Sequence, residues 1–394
     1  MLSTGRITES IGKLAKDQGW DCYIVHGARY ARPGSCMHPI RAVSKWGEYV
    51  HFAESLLLDN HGLASRKATR SVVEWIRQIK PDVIQLHCVH GYYLNYRLLF
   101  EYLNTTSIPL VWTFHDCWAF TGHCTHFVTA GCKRWKTGCH DCPLKGDYPK
   151  SLVDRSIRNY AIKKNLFGGN QNLHIVAVSK WLADFTRESF LGEKDIRVIQ
   201  NGVDLQKFKP VPECKGFGKQ RFGIVGVASS WGEDKGLYDF FKLREVLSES
   251  EYDITLVGLT QKQIDKLPKG IKGIMRTESI EELASLYSSA NVLVNPTYAD
   301  SFPTVNMEAL ACGTPVITYR TGGSPEIVDE KTGVVVEQGD IEAITSVVQV
   351  LKNLKALEFQ QLRKDCRKRA EEYFDKDKCF ERYISFYGEL MRIL

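Results

Sequence analysis

No uncharged apolar run in the 394-residue chain approaches the ~20 residues that a bilayer-spanning helix needs. The segment Met1 to Ser10 is polar and lacks the apolar core of a secretory signal. The expectation is a cytoplasmic protein. One-signed charge is also scarce: 52 Lys and Arg against 46 Asp and Glu leave +6, too little over this length to announce a nucleic-acid partner. A dinucleotide fingerprint is missing, because Gly223-x-x-Gly226 is shorter than the glycine pattern that cradles a pyrophosphate. Finally, Thr4-Gly5-Arg6 runs into a helical pattern (Ile7, Ile11, Leu14, Ala15) with no strand before it, where a doubly wound domain places one. The expectation is a first sheet without its first strand and gapped at its middle.

What is present describes an ordinary globular protein, 43% hydrophobic and 25% charged, long enough for two cores. Short β-branched runs recur at Val83–His87, Leu110–Phe114, His174–Val178, Arg197–Gln200, Phe222–Val227, Asp253–Val257, Val292–Asn295 and Pro315–Thr318, each followed by a helical pattern. That alternation predicts parallel sheets covered on both faces, an α/β architecture with more strands than one sheet holds. The pattern breaks at Asn201 to Gly218, where an Asn-Gly turn, two prolines and Gly-Phe-Gly mark a linker. From Lys378 to Leu394, Phe380, Tyr383, Ile384, Tyr387, Leu390 and Met391 lie at the spacing of an amphipathic helix.

The most informative stretch is Asp300-Ser301-Phe302-Pro303-Thr304-Val-Asn-Met-Glu308. It follows the run Val292–Asn295 and opens a helix that Gly313 can close. A helix start offers free N–H groups and the positive end of the dipole, so the turn at Ser301 to Val305 suits a phosphate. Pro303 has no N–H to lose there. Glu308, a turn inward, is placed for ribose hydroxyls. The plainer alternative makes Ser301 a cap and Glu308 a solvated helix residue. Lys235-Gly236 closes the loop after Phe222–Val227, where a lysine can meet a diphosphate or simply sit beside a turn glycine. Thr321-Gly-Gly-Ser-Pro-Glu326 opens another helix, its glycines freeing the backbone for a ligand or for ordinary turn chemistry. His115 and Asp116 end a strand and project from the carboxyl edge of the first sheet, where open α/β sheets bind ligands; a structural His-Asp pair is the alternative.

Together these motifs resemble the retaining GT-B glycosyltransferases of family four over almost the whole chain, from Thr4 to about Glu389. The carriers are the acidic-x7-Glu motif with its following Ala309-Leu-Ala-Cys-Gly-Thr-Pro-Val316, the strand-loop element ending in Lys235-Gly236, and Asn201-Gly-Val-Asp204, which matches the interdomain signature. Asp300 stands where that family usually has Glu, and Ser229 or Ser230 where it often carries Arg. The resemblance implies two Rossmann-like domains facing each other across a cleft, with the C-terminal helix packing back toward the first. The implied division is 1–207 on the acceptor side, 208–377 for the nucleotide sugar, and 378–394 as the returning helix. It implies His115, Asp116 and Asp300 as catalytic residues. Donor binding falls to Lys235, Ser301, Phe302, Pro303, Thr304 and Glu308, and to Thr4 and Gly5 in a glycine loop reaching the donor phosphate. The implied reaction retains configuration, needs no metal at the diphosphate, and moves a hexose from UDP or GDP to a glycan or polyprenyl-diphosphate-linked acceptor. A nucleotide-sugar 2-epimerase of the same fold is one alternative, although no second acidic set accompanies Asp116 and Asp300. A nucleic-acid binder built on the cysteine-rich segment is the other, with only Trp135 as an aromatic partner, so no nucleic acid is expected.

Five of the twelve cysteines bunch as Cys117, Cys124, Cys132, Cys139 and Cys142, interleaved with His123, His126 and His140. Only Cys139-x2-Cys142 has tight zinc-knuckle spacing. Structural zinc on Cys124, Cys132, Cys139 and Cys142, free thiols packed with Trp118 and Trp135, and disulfides all stay open. Similar insertions occur in a subgroup resembling the transferases of colanic-acid and capsule assembly, where this one would wall the acceptor side. Between Lys133 and Lys164 nine basic residues face three acids, and Ser151 to Phe167 reads as a basic amphipathic helix. Such a helix either lies on anionic membrane at the inner face or packs on the core with its basic side solvated.

Overall fold

The computed structural model describes residues 3–28, 35–212, 216–217 and 220–393. They form two compact units, Met1–Ile199 with Phe380–Leu394, and Gln200–Cys379.

In the first unit the strands are β1 (Tyr23–His26), β2 (His38–Arg41), β3 (Ile84–Leu86), β4 (Leu110–Phe114), β5 (Leu173–Ala177) and β6 (Asp195–Val198). They make two separate parallel sheets, β1-β2 and β3-β4-β5-β6. Every residue of β4 is buried, as a central strand covered on both faces requires. The described chain opens with the helix Ser3–Asp17, which buries Ile7, Ile11 and Ala15, so Thr4 and Gly5 lie in a helical turn and not in a loop. This corrects the expected glycine loop: alternating Ile7, Ile11 and Ala15 draw the helix back over both residues.

The last helix, Lys376–Ile393, carries its apolar stripe as the spacing predicts, with Phe380, Tyr383, Ile384, Tyr387 and Leu390 buried. Within the first unit it is pinned to the sheet. Thr113 Oγ1 donates to the Tyr383 hydroxyl at 3.2 Å, the Tyr387 hydroxyl donates to Gln85 Oε1 at 2.8 Å, and Arg197 pairs with Glu389 at 2.6 Å.

The basic segment departs from its expectation. The helix starts at Ser156, running Ser156–Gly169, and Lys163 points inward with Leu166 and Phe167. Its ammonium donates to the carbonyls of Trp118 at 2.6 Å and Thr121 at 3.0 Å and lies 3.4 Å from the Trp118 ring centroid. Burial depresses its pKa from 10.5 to about 7. The unfolded lysine keeps its proton up to its ordinary pKa, so above about pH 7 the unfolded chain binds more protons and stability rises with pH. We therefore expect Lys163→Met to remove a rise of up to about 1.4 kcal/mol per pH unit. Denaturant melts of both proteins between about pH 7 and about pH 8.5, below the range where buried thiols oppose the trend, check this.

The second unit contains β7 (Phe222–Val227), β8 (Tyr252–Val257), β9 (Ile271–Ile274), β10 (Val292–Asn295), β11 (Val316–Tyr319) and β12 (Gly333–Val336), all parallel in the order β12-β11-β10-β7-β8-β9. Val292 pairs with Ile224 and Leu293 with Val225. From this β7-β10 seam the chain winds outward in both directions. A seam of that kind opens a crevice beyond the carboxyl ends of its two strands.

Candidate active site

The loops leaving β7 and β10 meet at the seam. After β7 the chain turns through Glu233–Lys235 to Gly236, whose φ is +69°. A Cβ on Gly236 would overlap the Pro296 carbonyl oxygen, so only glycine lets the two loops close this tightly. The approach delivers the Lys235 ammonium to the segment beyond β10. It lies 2.9 Å from the Ala299 carbonyl, 3.0 Å from Asp300 Oδ2 and 3.4 Å from Thr297 Oγ1. Asp300 also accepts the Phe302 N–H on Oδ1 at 3.1 Å, which ties the carboxylate to the turn ahead of the next helix.

That helix is Thr304–Ala311, with Pro303 at its N-cap and no side chain capping it. Ser301 is therefore not the cap that one reading of the sequence made it; its hydroxyl is buried and has no hydrogen-bond partner among the described residues. The second glycine turn joins here: the Gly323 N–H donates to the Ser301 carbonyl at 3.1 Å, and a Cβ on Gly322 would overlap the Asp300 carbonyl. Ser324, at the start of the helix Ser324–Ile327, holds a second buried hydroxyl without a partner. The Lys235 ammonium, the uncapped start of Thr304–Ala311 and the Gly322-Gly323 turn thus meet around Asp300 and Ser301, with N–H and ammonium donors suited to phosphate oxygens. Phe302 is buried and meets Phe374 edge to face, with 6.1 Å between ring centroids. Glu308 is buried and accepts the Tyr287 hydroxyl at 3.1 Å, so it is not the solvated residue of the plainer reading.

In the first unit the carboxyl edge of β3 and β4 gathers four groups. His115 and His87 face each other at 3.0 Å, Nε2 to Nδ1. Asp116 Oδ2 lies 3.1 Å from His90 Nε2, and Asp116 Oδ1 accepts the Trp118 N–H at 2.9 Å. Burial lowers His115 to about 4 and pushes His87 further down, so both imidazoles are neutral at pH 7. Burial alone would lower His90, but the Asp116 carboxylate overrides it and raises it, while His90 in turn holds Asp116 below its ordinary value. The result is a neutral pair beside a charged pair. His87 and His90 escaped the sequence reading. The available signal was their place at the end of a strand adjacent to the one that ends in His115. The Thr4 hydroxyl also reaches this edge, 3.9 Å from the Cys88 thiol.

Cys124, Cys132, Cys139 and Cys142 line one small cavity and are free thiols with no disulfide between them. Cys124 and Cys142 share a hydrogen bond that raises the first thiol and lowers the second. Among the described residues no three His, Cys, Asp or Glu side chains are gathered to hold a metal ion. Trp135 fills the core of this insertion, stacked on Phe127 at 4.7 Å, and so is not available as a base-stacking surface.

Comparison with known proteins follows the same division. Residues 5–207 match the family described as Glycosyltransferase Family 4, and residues 219–353 match Glycosyl transferases group 1. WcaC of Escherichia coli (strain K12), named provisionally as a colanic acid biosynthesis glycosyl transferase, is 27% identical over 336 residues, covering 80% of this chain and 78% of its own. The capsular polysaccharide biosynthesis glycosyltransferase CapM of Staphylococcus aureus is 27% identical over 43% of this chain and 47% of its own. Among solved structures, sucrose-phosphate synthase from Thermosynechococcus elongatus superposes with a TM-score of 0.74 at 17% identity, over 100% of this chain and 94% of that one. Anabaena Alr3699/HepE in complex with UDP-glucose gives 0.65 at 15% identity, over 100% and 97%. These neighbours share the GT-B fold, two Rossmann-like domains with parallel sheets, and the family match covers more than half of the sequence: the chain belongs to glycosyltransferase family 4.

Proposed function

We propose that the protein is a retaining hexosyltransferase that uses a UDP- or GDP-sugar and acts in surface polysaccharide synthesis on a glycan or polyprenyl-diphosphate-linked acceptor. One observation carries the donor half: Lys235 Nζ stands 3.0 Å from Asp300 at the β7-β10 seam, beside the uncapped start of Thr304–Ala311. The diphosphate is seated on those helix N–H groups and the Ser301 hydroxyl, and the ammonium neutralises the charge that grows as the sugar leaves. No metal is required for that neutralisation. Retention follows if the acceptor hydroxyl attacks the anomeric carbon from the face the diphosphate is leaving, passing its proton to the departing phosphate oxygen. His115 and Asp116 serve the acceptor side. The polysaccharide assignment rests on the names of WcaC and CapM, and a lipid-linked acceptor brings the enzyme to the inner face of a membrane. Zinc on Cys124, Cys132, Cys139 and Cys142 is a separate proposal, and it requires these thiols, which line one cavity but are not gathered as a ligand set, to draw together around the ion. Metal analysis of the purified chain tests it, with one tetrahedral zinc per chain in support and a stoichiometry near zero leaving four packed thiols.

The direct test of the donor site is thermal stabilisation by nucleotides, with UDP first because the fold neighbour HepE was solved with UDP-glucose. UDP or GDP at a hundredfold excess over its dissociation constant stabilises a binding protein by about 2.7 kcal/mol. Glu308→Gln keeps an acceptor for the Tyr287 hydroxyl and is expected to weaken nucleotide binding by about tenfold through loss of a charged acceptor for ribose. Absence of any shift with either nucleotide would remove the donor site.

A further inference from the structure

The helix Lys45–Leu58 wears its amphipathicity inside out. Its fully buried residues are Glu48, His51 and Ser55, whereas Trp46, Tyr49, Val50, Phe52, Leu57 and Leu58 are exposed, Trp46 by 79%. Positions 46, 49, 50, 53 and 57 recur at helical spacing on one face. The inward polar face is bonded: Glu48 Oε1 accepts the Ala28 N–H, His51 Nδ1 meets Ser65 Oγ at 2.8 Å, and His51 Nε2 accepts the Gly62 N–H at 3.1 Å. Those bonds offset the cost of burying the polar groups and fix the rotation of the helix, so its apolar face is held outward.

The apolar surface continues onto the neighbouring segment. Leu152 N–H donates to the Leu56 carbonyl at 2.7 Å, and the Ser151 hydroxyl donates to the same oxygen at 3.3 Å. Beside that junction Leu152, Val153 and Ile157 are exposed, Ile157 by 68%. Phe52 and Tyr148 both pack on Tyr92, at 5.7 Å and 6.2 Å between ring centroids, which brings exposed Tyr148 to the same side. Around these residues stand exposed Lys45, Lys145, Lys150 and Arg155. The nearby carboxylate of Asp154 is occupied by the N–H groups of Cys142 and Ser156; that of Asp147 is exposed.

We propose that this surface seats the protein on an anionic lipid bilayer, with Trp46, Tyr49, Leu57, Leu152 and Ile157 in the interfacial layer and the four cations on lipid phosphates. Aromatic and aliphatic side chains ringed by lysine and arginine fit the boundary between headgroups and acyl chains. A second copy fits poorly, because a two-fold contact sets the same patch against itself and opposes two positive rims. No helix among the described residues is long and apolar enough to cross a membrane, so the contact is interfacial. The proposal deepens the lipid-linked reading above, but vesicle binding is measured without donor or acceptor, so the two fail separately.

The test is co-sedimentation of the full chain with vesicles of phosphatidylglycerol and phosphatidylcholine in equal parts, and with phosphatidylcholine alone. Binding is expected with the anionic vesicles, weaker by about tenfold or more on the neutral ones and declining as salt rises. Trp46→Ser with Leu57→Ser, and separately Lys150→Glu with Arg155→Glu, are each expected to lower affinity by about tenfold or more. All four residues are exposed, so melting temperatures and nucleotide binding stay as in the native chain. Failure of the native chain to sediment with anionic vesicles overturns the proposal, as does sedimentation untouched by both variants. A Trp46-dependent dimer in ultracentrifugation without vesicle binding overturns it too.

Discussion

Replacing Lys235 by alanine is expected to slow sugar transfer by about 10²- to 10³-fold, the effect of deleting one preorganised group that faces charge developing in a transition state. The expectation rests on where the ammonium stands. It is held between the Ala299 carbonyl and Asp300 at the mouth of the β7-β10 seam, and among the described residues no other Lys or Arg pairs with Asp300. The leaving diphosphate gains negative charge as the sugar bond breaks, so the lost interaction is stronger in the transition state than before it, and turnover should fall more than donor affinity. The fold should survive. The ion pair is partly exposed on both sides, and such pairs contribute about 1 kcal/mol or less to stability. Lys235→Arg, which restores the charge without the point geometry, is expected to recover part of the rate. Steady-state kinetics with a melting curve for each variant separate the outcomes, and an alanine variant with native turnover would refute the assignment of this lysine.

The largest effect on stability is expected at Asp59. It ends the helix Lys45–Leu58 in the left-handed region, at φ 49° and ψ 40°, and its carboxylate is a junction in the core of the first unit. Oδ1 lies 2.7 Å from His123 Nδ1, with both side chains 1% exposed, and Oδ2 accepts the Arg155 N–H at 2.8 Å. Its carbonyl oxygen takes hydrogen bonds from Asn159 and Arg158. Asp59→Ala strands the imidazole and the Arg155 N–H away from water and places a Cβ-only residue where L side chains are strained, a combined loss of about 3–5 kcal/mol. Asp59→Asn tolerates the same backbone and keeps one carbonyl acceptor, so its loss should be about half as large. Urea unfolding decides it: the alanine midpoint should drop well below the asparagine one at an unchanged slope.

The same residues show how far the sequence could be read. β4, β7 and β10 are legible to the residue, because central parallel strands are buried on both faces and appear as unbroken apolar runs. β1, β2, β9 and β12 were not recognised: Tyr23–His26 and His38–Arg41 pair only with each other and have no buried residue, and β9 and β12 are sheet edges. An edge strand needs no apolar face, so its signal is weak. At the donor turn, the order strand, glycine loop, lysine and helix start was visible because each element follows the last within a few residues. What stayed hidden depends on distant segments. The pairing of His87 with His115 and of His90 with Asp116 spans adjacent strands, and Lys163 sits among basic neighbours that gave no hint it was the one turned inward. The helix Lys45–Leu58 was not read from the sequence, because its inward face is polar and only the bonds from Ser65 and Gly62 to His51 show which face is in.

The stripe formed by Phe380, Tyr383 and Tyr387 has a consequence for biosynthesis. The ribosome releases Gln85 and Thr113 early, yet the hydroxyls they bind are made only after the whole of Gln200–Cys379 has emerged. The later unit can close on the tunnel while the earlier one waits with one face of its sheet open to water. A nascent chain stalled before Phe380 is then the form of the first unit most in need of a chaperone.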